Sequence, residues 1–338
     1  MTPGLVQKYN SELFNGGLQM FMQPIVDLRN AKVVNFEALA RLRSKNDLLV
    51  PPSVFLPLIG EAGLVRLFRE GLDQALTWMN RWEEEGLVSG VSVKVPAAAL
   101  LDPEFKAWVR DALAYRNTSP SRLTLELLDT RRMEDRGLLG VVEDLLELGV
   151  RIAMDDLGSG YSGILEISNL PFDVVKIDRE TTAQLYYSPL QTLTLLGRLT
   201  QLGREFGRDL VIEGLEDLGM LEAAVFLGAP LAQGYQLAFP MPPETVPNWA
   251  RKFNFPVQNG RIQTYLGALT YFLSASHNDD SEGESTSTEC PVGEFLAKQG
   301  TEAEEAVLFH LQIHRETTHG QGYQRLLQWL IDKVRSAC

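Results

Sequence analysis

Short β-branched runs recur through the first 240 residues, separated by amphipathic stretches long enough for helices. The runs occupy 20–28, 33–42, 91–96, 123–128, 151–157, 174–179, 209–215 and 231–239. Too few residues divide the first from the second for a crossover helix, so these two predict an antiparallel pair. The later runs are spaced for strand–helix units, with helices predicted near 53–85, 103–116, 132–148, 181–206 and 217–227. Eight strands with outer helices predict an α/β fold, a TIM-like (β/α)8 barrel with an antiparallel first strand. Trp78, Met79 and Trp82 fall within the first long helix and fit core packing.

The pattern changes after Pro243. Helices are predicted over 258–275, 291–299 and 302–335, with the polar run HNDDSEGESTSTE at 277–289 reading as a loop. This divides the chain into a barrel domain, 1–253, and a helical C-terminal module, 254–338, with a regulatory or dimerising role expected.

Composition narrows the class. Apolar residues make up 45% and charged residues 22%, the balance of a globular chain with a core. No apolar run reaches the roughly 18 residues that a membrane helix needs, and no signal peptide is evident at the start. The only cysteines, Cys290 and Cys338, cannot form a disulfide framework. These features predict a cytoplasmic protein. The net charge of −13, without a Lys/Arg run, argues against binding polymeric nucleic acid or an anionic membrane. It leaves room for a nucleotide ligand if a cation masks the acids.

Such acids are present. In a barrel, catalytic groups sit at the C-terminal ends of strands. Here those ends carry Glu37, Lys94, Glu126, Asp155, Asp156, Lys176, Glu213 and Gln233. Alternation supports an inward direction: Val91, Val93 and Val95 share one face of their strand, Ser92 and Lys94 the other. Five converging carboxylates repel one another. All-oxygen donors favour hard cations, one or two Mg²⁺ or Mn²⁺ ions. The Asp155–Asp156 pair can bridge or flank two ions, an arrangement suited to phosphodiester hydrolysis. Lys176 is placed to position a water or stabilise developing charge. Each acid taken singly is as readily explained by pairing with a surface Lys or Arg.

The motifs at these positions resemble the EAL family. Gln23-Pro24-Ile25-Val26-Asp27-Leu28 precedes Phe36-Glu37-Ala38-Leu39-Ala40-Arg41, and Asp155 to Ser162 resembles the family's DDFGTGYSS loop. Lys176-Ile177-Asp178 matches KID, Ile212 to Glu216 resembles AEGVE, and Gln233-Gly234-Tyr235 matches QGY. The resemblance implies hydrolysis of cyclic di-GMP to linear pGpG. It implies Glu37, Glu126, Asp155, Asp156 and Glu213 as metal ligands, and Lys176, Glu213 and Glu216 as catalytic or supporting groups. It further implies that Gln23, Leu39, Arg41, Asp178 and Gln233 line the substrate site. A homodimer is expected, because such barrels commonly pair through the region after strand five.

Two positions depart from the family. Lys94, in Val93-Lys94-Val95-Pro96, stands where the family has a metal-ligating Asn. A protonated lysine has only donors and cannot ligate. Either its ammonium joins Glu37, Glu126 and Asp155 in place of the first metal, or the side chain bends away and the metal keeps a water there. Asp129 replaces the Glu that anchors the loop after strand five. The chain therefore reads as a metal-dependent phosphodiesterase weakened at Lys94. The alternative is a degenerate EAL domain that acts as a non-catalytic cyclic di-GMP receptor or regulates a protein partner.

In the tail, His310 and His314 are four apart on a predicted helix and share a face. With the Cys290-Pro291-Val292-Gly293-Glu294-Phe295 segment they resemble the chemoreceptor zinc-binding (CZB) family, which implies Zn²⁺ at Cys290, His310 and His314. That family's remaining His has no counterpart in Gly260 to Gln263, and His277 or His319 is the substitute available. A helical dimerisation appendage with surface histidines and a buried Cys explains the same residues.

Overall fold

The computed structural model describes residues 3–127, 136–157, 171–258, 260–275, 290–314 and 320–336. Helix α1 (Pro3–Glu12) leads into the long strands β1 (Leu18–Asp27) and β2 (Lys32–Arg43). A two-residue strand, β3 (Leu49–Val50), folds back on β2 before the long helix α2 (Pro52–Glu84). The chain then runs β4 (Gly90–Val95), α3 (Ala97–Leu100), α4 (Phe105–Tyr115), β5 (Leu123–Leu127), α5 (Arg136–Leu148) and β6 (Arg151–Leu157). It continues through β7 (Val174–Ile177), α6 (Arg179–Ala183), α7 (Pro189–Glu205), β8 (Asp209–Ile212), α8 (Leu218–Phe226) and β9 (Leu231–Ala232).

The strand order is β1-β9-β8-β7-β6-β5-β4-β2-β3, and β1 also pairs with β2. That last pairing closes eight strands into a barrel, with β3 an appendage. β1 is antiparallel to both neighbours, β2 and β9, while β2 and β4 through β9 run parallel. The barrel with one reversed strand is as the run spacing predicted. Helix ends differ in detail. The run expected over 181–206 splits because Ser188 leaves helical geometry and Pro189 begins α7 afresh.

Alternation decides what each face does. On β4, Val91, Val93 and Val95 are buried against the helical layer, in one core with Phe68, Leu72, Met79 and Trp82. The inner face is stacked in two layers. Ile25, Ala153, Val174, Val211 and Leu231 form a separate apolar plug inside the barrel. Each lies two residues along its strand from a polar residue above it: Gln23, Asp155, Lys176, Glu213 and Gln233. The plug thus underlies those polar ends on the inner face.

Beyond the barrel come α9 (Val246–Lys252), α10 (Tyr265–Ala275), α11 (Pro291–Lys298), α12 (Glu304–Ile313) and α13 (Gln321–Ser336). The described parts of the run predicted as one helix over 302–335 form two, α12 and α13, which pack side by side. Helix α10 lies against α8 of the barrel. Glu222 of α8 is fully buried and accepts hydrogen bonds at the start of α10 from Gln263 N (2.8 Å), Thr264 N (2.9 Å) and Thr264 Oγ1 (2.6 Å). A buried carboxylate needs such partners. Among the described residues, no helix is long and apolar enough to cross a membrane.

Candidate functional site

Four carboxylates and two ammonium groups meet at the C-terminal ends of the barrel strands. Register places them: Gln23 pairs with Glu37 across β1 and β2, and Lys94 with Glu126 across β4 and β5. Lys176 is 1% exposed, and its Nζ lies 2.6 Å from Glu213 Oε1, 2.9 Å from Glu126 Oε2, 3.3 Å from Glu37 Oε2 and 3.6 Å from Asp155 Oδ1. Lys94 Nζ donates to Asp155 Oδ2 and lies 3.2 Å from Glu37 Oε1 and 3.4 Å from Glu126 Oε2. The two lysines thus share Glu37, Glu126 and Asp155 between them.

Electrostatics follow from this crowding. Burial alone would lower the Lys176 ammonium, but Glu126, Glu213, Glu37 and Asp155 hold it well above the ordinary lysine range. Lys94 is raised in the same way, burial being outweighed by Glu37, Glu126 and Asp155. Both remain charged. Burial would raise the Glu37 carboxyl, yet Lys176, Lys94 and the Gln233 amide keep it well below the usual carboxylate range. Burial pushes Glu213 up to about 7, with Lys176 opposing. Glu126 is also raised by burial and by neighbouring Glu37.

The resemblance implies Glu37, Glu126 and Asp155 as oxygen donors to a first metal. Here all three already face the Lys94 ammonium, and a cation in its place would meet a like charge. The residues present do not fit an ion at that point. Of the two alternatives for Lys94, the structure has the inward one. The side chain of Asp156 and all of Asp129 lie outside the described residues, so the paired-aspartate and loop-anchor expectations are not placed.

Around the cluster is a cavity of about 210 Å³ walled by Gln23, Leu39, Arg179, Glu216, Gln233 and Tyr235, with Glu37, Lys94 and Glu213 at its floor. The Gln233 amide is held by Glu37 Oε2 at 2.6 Å and Gln23 Oε1 at 3.2 Å. Gly234 is required here, since a Cβ would strike the backbone of Leu215. Arg41 stands half-buried at the rim over the Phe21 ring, with Nη1 donating to Ala40 O at 2.9 Å. Asp178 caps α6, accepting from Glu180 N at 3.0 Å. Sequence reasoning overlooked Arg179 and Tyr235 as cavity walls. Tyr235 was within reach, as the last residue of the QGY match. A larger hollow, about 350 Å³, lies at the opposite pole of the barrel. It reaches past the apolar plug to Glu126 and Lys176, but Glu37, Asp155 and Glu213 do not line it.

The tail gathers a second cluster. Cys290 precedes α11, while His310 lies on α12 and His314 at its end. His310 Nε2 is 3.3 Å from Cys290 Sγ and 3.3 Å from His314 Nε2, and the three donor atoms lie within 4.8 Å of one another. His310 is buried, and burial with His314 beside it lowers its imidazole to about 4. A tetrahedral zinc ion with ordinary bond lengths separates such donors by about 3.3 to 3.6 Å. His277 and His319 lie outside the described residues.

Comparison with known proteins agrees with the barrel. The EAL domain family model matches residues 6–240. The bifunctional diguanylate cyclase/cyclic di-GMP phosphodiesterase MucR of Pseudomonas aeruginosa is 32% identical over 230 residues, 67% of this chain and 33% of MucR. The cyclic di-GMP phosphodiesterase PA2567 of the same organism is 31% identical over 242 residues, 70% of this chain and 40% of that protein. The chain thus spans about a third of the length of the curated relatives it matches first. A structure titled PaMucR phosphodiesterase, c-di-GMP complex, superposes with a TM-score of 0.67 at 31% identity, covering 72% of this chain and 99% of that one. With the closed barrel, its reversed first strand and the matched motifs, the chain belongs to the EAL domain family.

Proposed function

We propose that this barrel binds cyclic di-GMP at its mouth and that Lys94 holds back hydrolysis, making the domain a receptor rather than an efficient phosphodiesterase. The carrying observation is the Lys94 ammonium, paired with the three carboxylates a first metal would need. An ammonium there lowers the negative charge that a phosphate must approach, without an ion being recruited. Arg41 offers a fixed fork of donors to a phosphate oxygen. Leu39 and Tyr235 supply apolar walls, and the Gln233 amide is held in place for a polar edge.

The second reading, a working phosphodiesterase with Mg²⁺ or Mn²⁺, is favoured by the retained Lys176, paired to Glu213 and Glu126. One experiment separates them: calorimetry with cyclic di-GMP in EDTA, beside a hydrolysis assay in Mn²⁺. Binding in EDTA with little pGpG formed supports the receptor. Rapid, Mn²⁺-dependent pGpG formation supports the phosphodiesterase. Loss of binding on Arg41→Ala ties the ligand to this mouth, and no binding by the unaltered protein leaves only a protein-partner role.

For the tail, we propose Zn²⁺ at Cys290, His310 and His314. Support comes from donors of the softness zinc prefers, spaced like two tetrahedron edges. Competition with a chromophoric chelator tests it, with Cys290→Ser expected to release the ion. The protein is proposed to act in the cytoplasm as a homodimer, checked by sedimentation at micromolar concentration.

A further inference from the structure

We propose that Tyr235 and Phe239 form a stacking platform at the barrel mouth that takes one purine ring of the bound dinucleotide, an inference that rests on the cyclic di-GMP reading above. The two rings lie with centroids 4.3 Å apart and planes 26° from parallel. Both are open to solvent, Tyr235 at 42% and Phe239 at 65% exposure. Among the described residues, the other stacked aromatic pair, Phe272 with Tyr323, belongs to the helical core, and Phe272 is only 8% exposed. An aromatic stack left in water keeps apolar area that a planar ligand can cover.

Position makes a base the occupant. Tyr235 is a wall of the same cavity as Glu37, Leu39 and Gln233, so the stack continues the dinucleotide site outward. Arg41, the guanidinium suited to phosphate, lies two residues along β2 from Leu39, which walls the same cavity as Tyr235. A phosphate donor and an aromatic face side by side match the two chemistries of a nucleotide. The platform is also held firmly. Gln23 Nε2 donates to Ala238 O at 3.1 Å, next to Phe239, and β1 pairs with the chain beyond it through Met22 N to Met241 O at 2.8 Å. A face fixed in advance loses little freedom when a ring settles on it.

Stacking is indifferent to the polar edge of a base, because every base has a π-face. The platform therefore adds affinity for a purine without distinguishing guanine from adenine, and that choice falls to polar groups deeper in the mouth.

The test measures cyclic di-GMP binding by calorimetry for the unaltered chain, Phe239→Ala, Phe239→Trp and Tyr235→Phe, with thermal melts of each free protein. Phe239→Ala is expected to weaken binding about tenfold or more, with the melt unchanged. Phe239→Trp and Tyr235→Phe, which keep aromatic faces, should bind within about threefold of the original. A cyclic dinucleotide with 2-aminopurine in place of one guanine should lose fluorescence on the unaltered chain and recover it on Phe239→Ala. If the unaltered chain binds and Phe239→Ala binds equally well without dequenching, the platform is wrong and the ligand assignment stands. If the unaltered chain does not bind cyclic di-GMP at all, both fall together.

Discussion

The barrel mouth and the tail cluster are both gatherings of potential metal donors, and they solve the charge problem in opposite ways. At the mouth, four carboxylates on strand ends face two ammonium groups carried by the chain itself. In the tail, one thiol and two imidazoles converge with no charged partner among the described residues. Hard oxygen donors packed together carry net charge and need a cation at once for the fold to tolerate them. Sulfur and imidazole donors can be buried neutral, as the depressed imidazole of His310 illustrates. The mouth therefore has its cation built in, whereas the tail donors need none while they stay neutral.

That contrast is open to attack. The largest effect is expected from Lys176→Met, which leaves Glu126, Glu213, Glu37 and Asp155 short of a buried positive charge. Removing one partner of such a cluster costs about 3–5 kcal/mol, read from urea unfolding. A loss under about 1 kcal/mol would mean that the carboxylates shed their charge instead.

Lys94→Asn comes next. It removes the like charge and restores an oxygen donor, so Mn²⁺ affinity should rise by on the order of a hundredfold, with pGpG formation rising alongside. If Mn²⁺ binds the variant no better than the unaltered chain, the built-in cation is not what excludes the metal. If Mn²⁺ binds and hydrolysis stays low, attention moves to the shortened carboxylate at Asp129.

The tail should respond in the reverse sense. Zn²⁺ at thirtyfold its dissociation constant should stabilise the protein by about 2 kcal/mol, an effect removed by chelator and absent in Cys290→Ser. The mouth predicts no comparable response to chelator, so equal sensitivity of Cys290→Ser and the unaltered chain would erase the distinction.

The smallest effect concerns the link between the two regions. Glu222→Ala strips three hydrogen bonds from the start of α10 and should cost about 1–2 kcal/mol, with α10 amides exchanging hydrogen faster. Exchange confined to fraying at Gln263 would show that the tail docks through its apolar face alone.

Much of the mouth was legible in the residues because a strand has period two. With Val91, Val93 and Val95 on one face of their strand, Lys94 falls on the other, and strand-end positions gather Glu37, Glu126 and Lys176 at the same rim. Motif order then supplied the family, and the short link between the first two runs supplied the reversed strand. The chain's own order also showed that His310 and His314 share a helix face.

Tertiary structure alone decided the rest, since these facts depend on atoms far apart in sequence. Local pattern does not say whether the Lys94 ammonium reaches Asp155, 61 positions away, or turns aside; the carboxylates waiting at strand ends pull it in. Cys290 meets His310 only because α11 and α12 fold together. Glu222 looks like an ordinary helical glutamate until the start of α10 closes over it. Asp178, read from its motif as a substrate contact, has its carboxylate at the cap of a short helix. Tyr235 and Phe239 fall in the run read as a strand over 231–239, but β9 ends at Ala232 and the chain turns, held by bonds from Gln23 to Ala238, Met22 to Met241 and Gln236 to Leu215, so that the two rings stack.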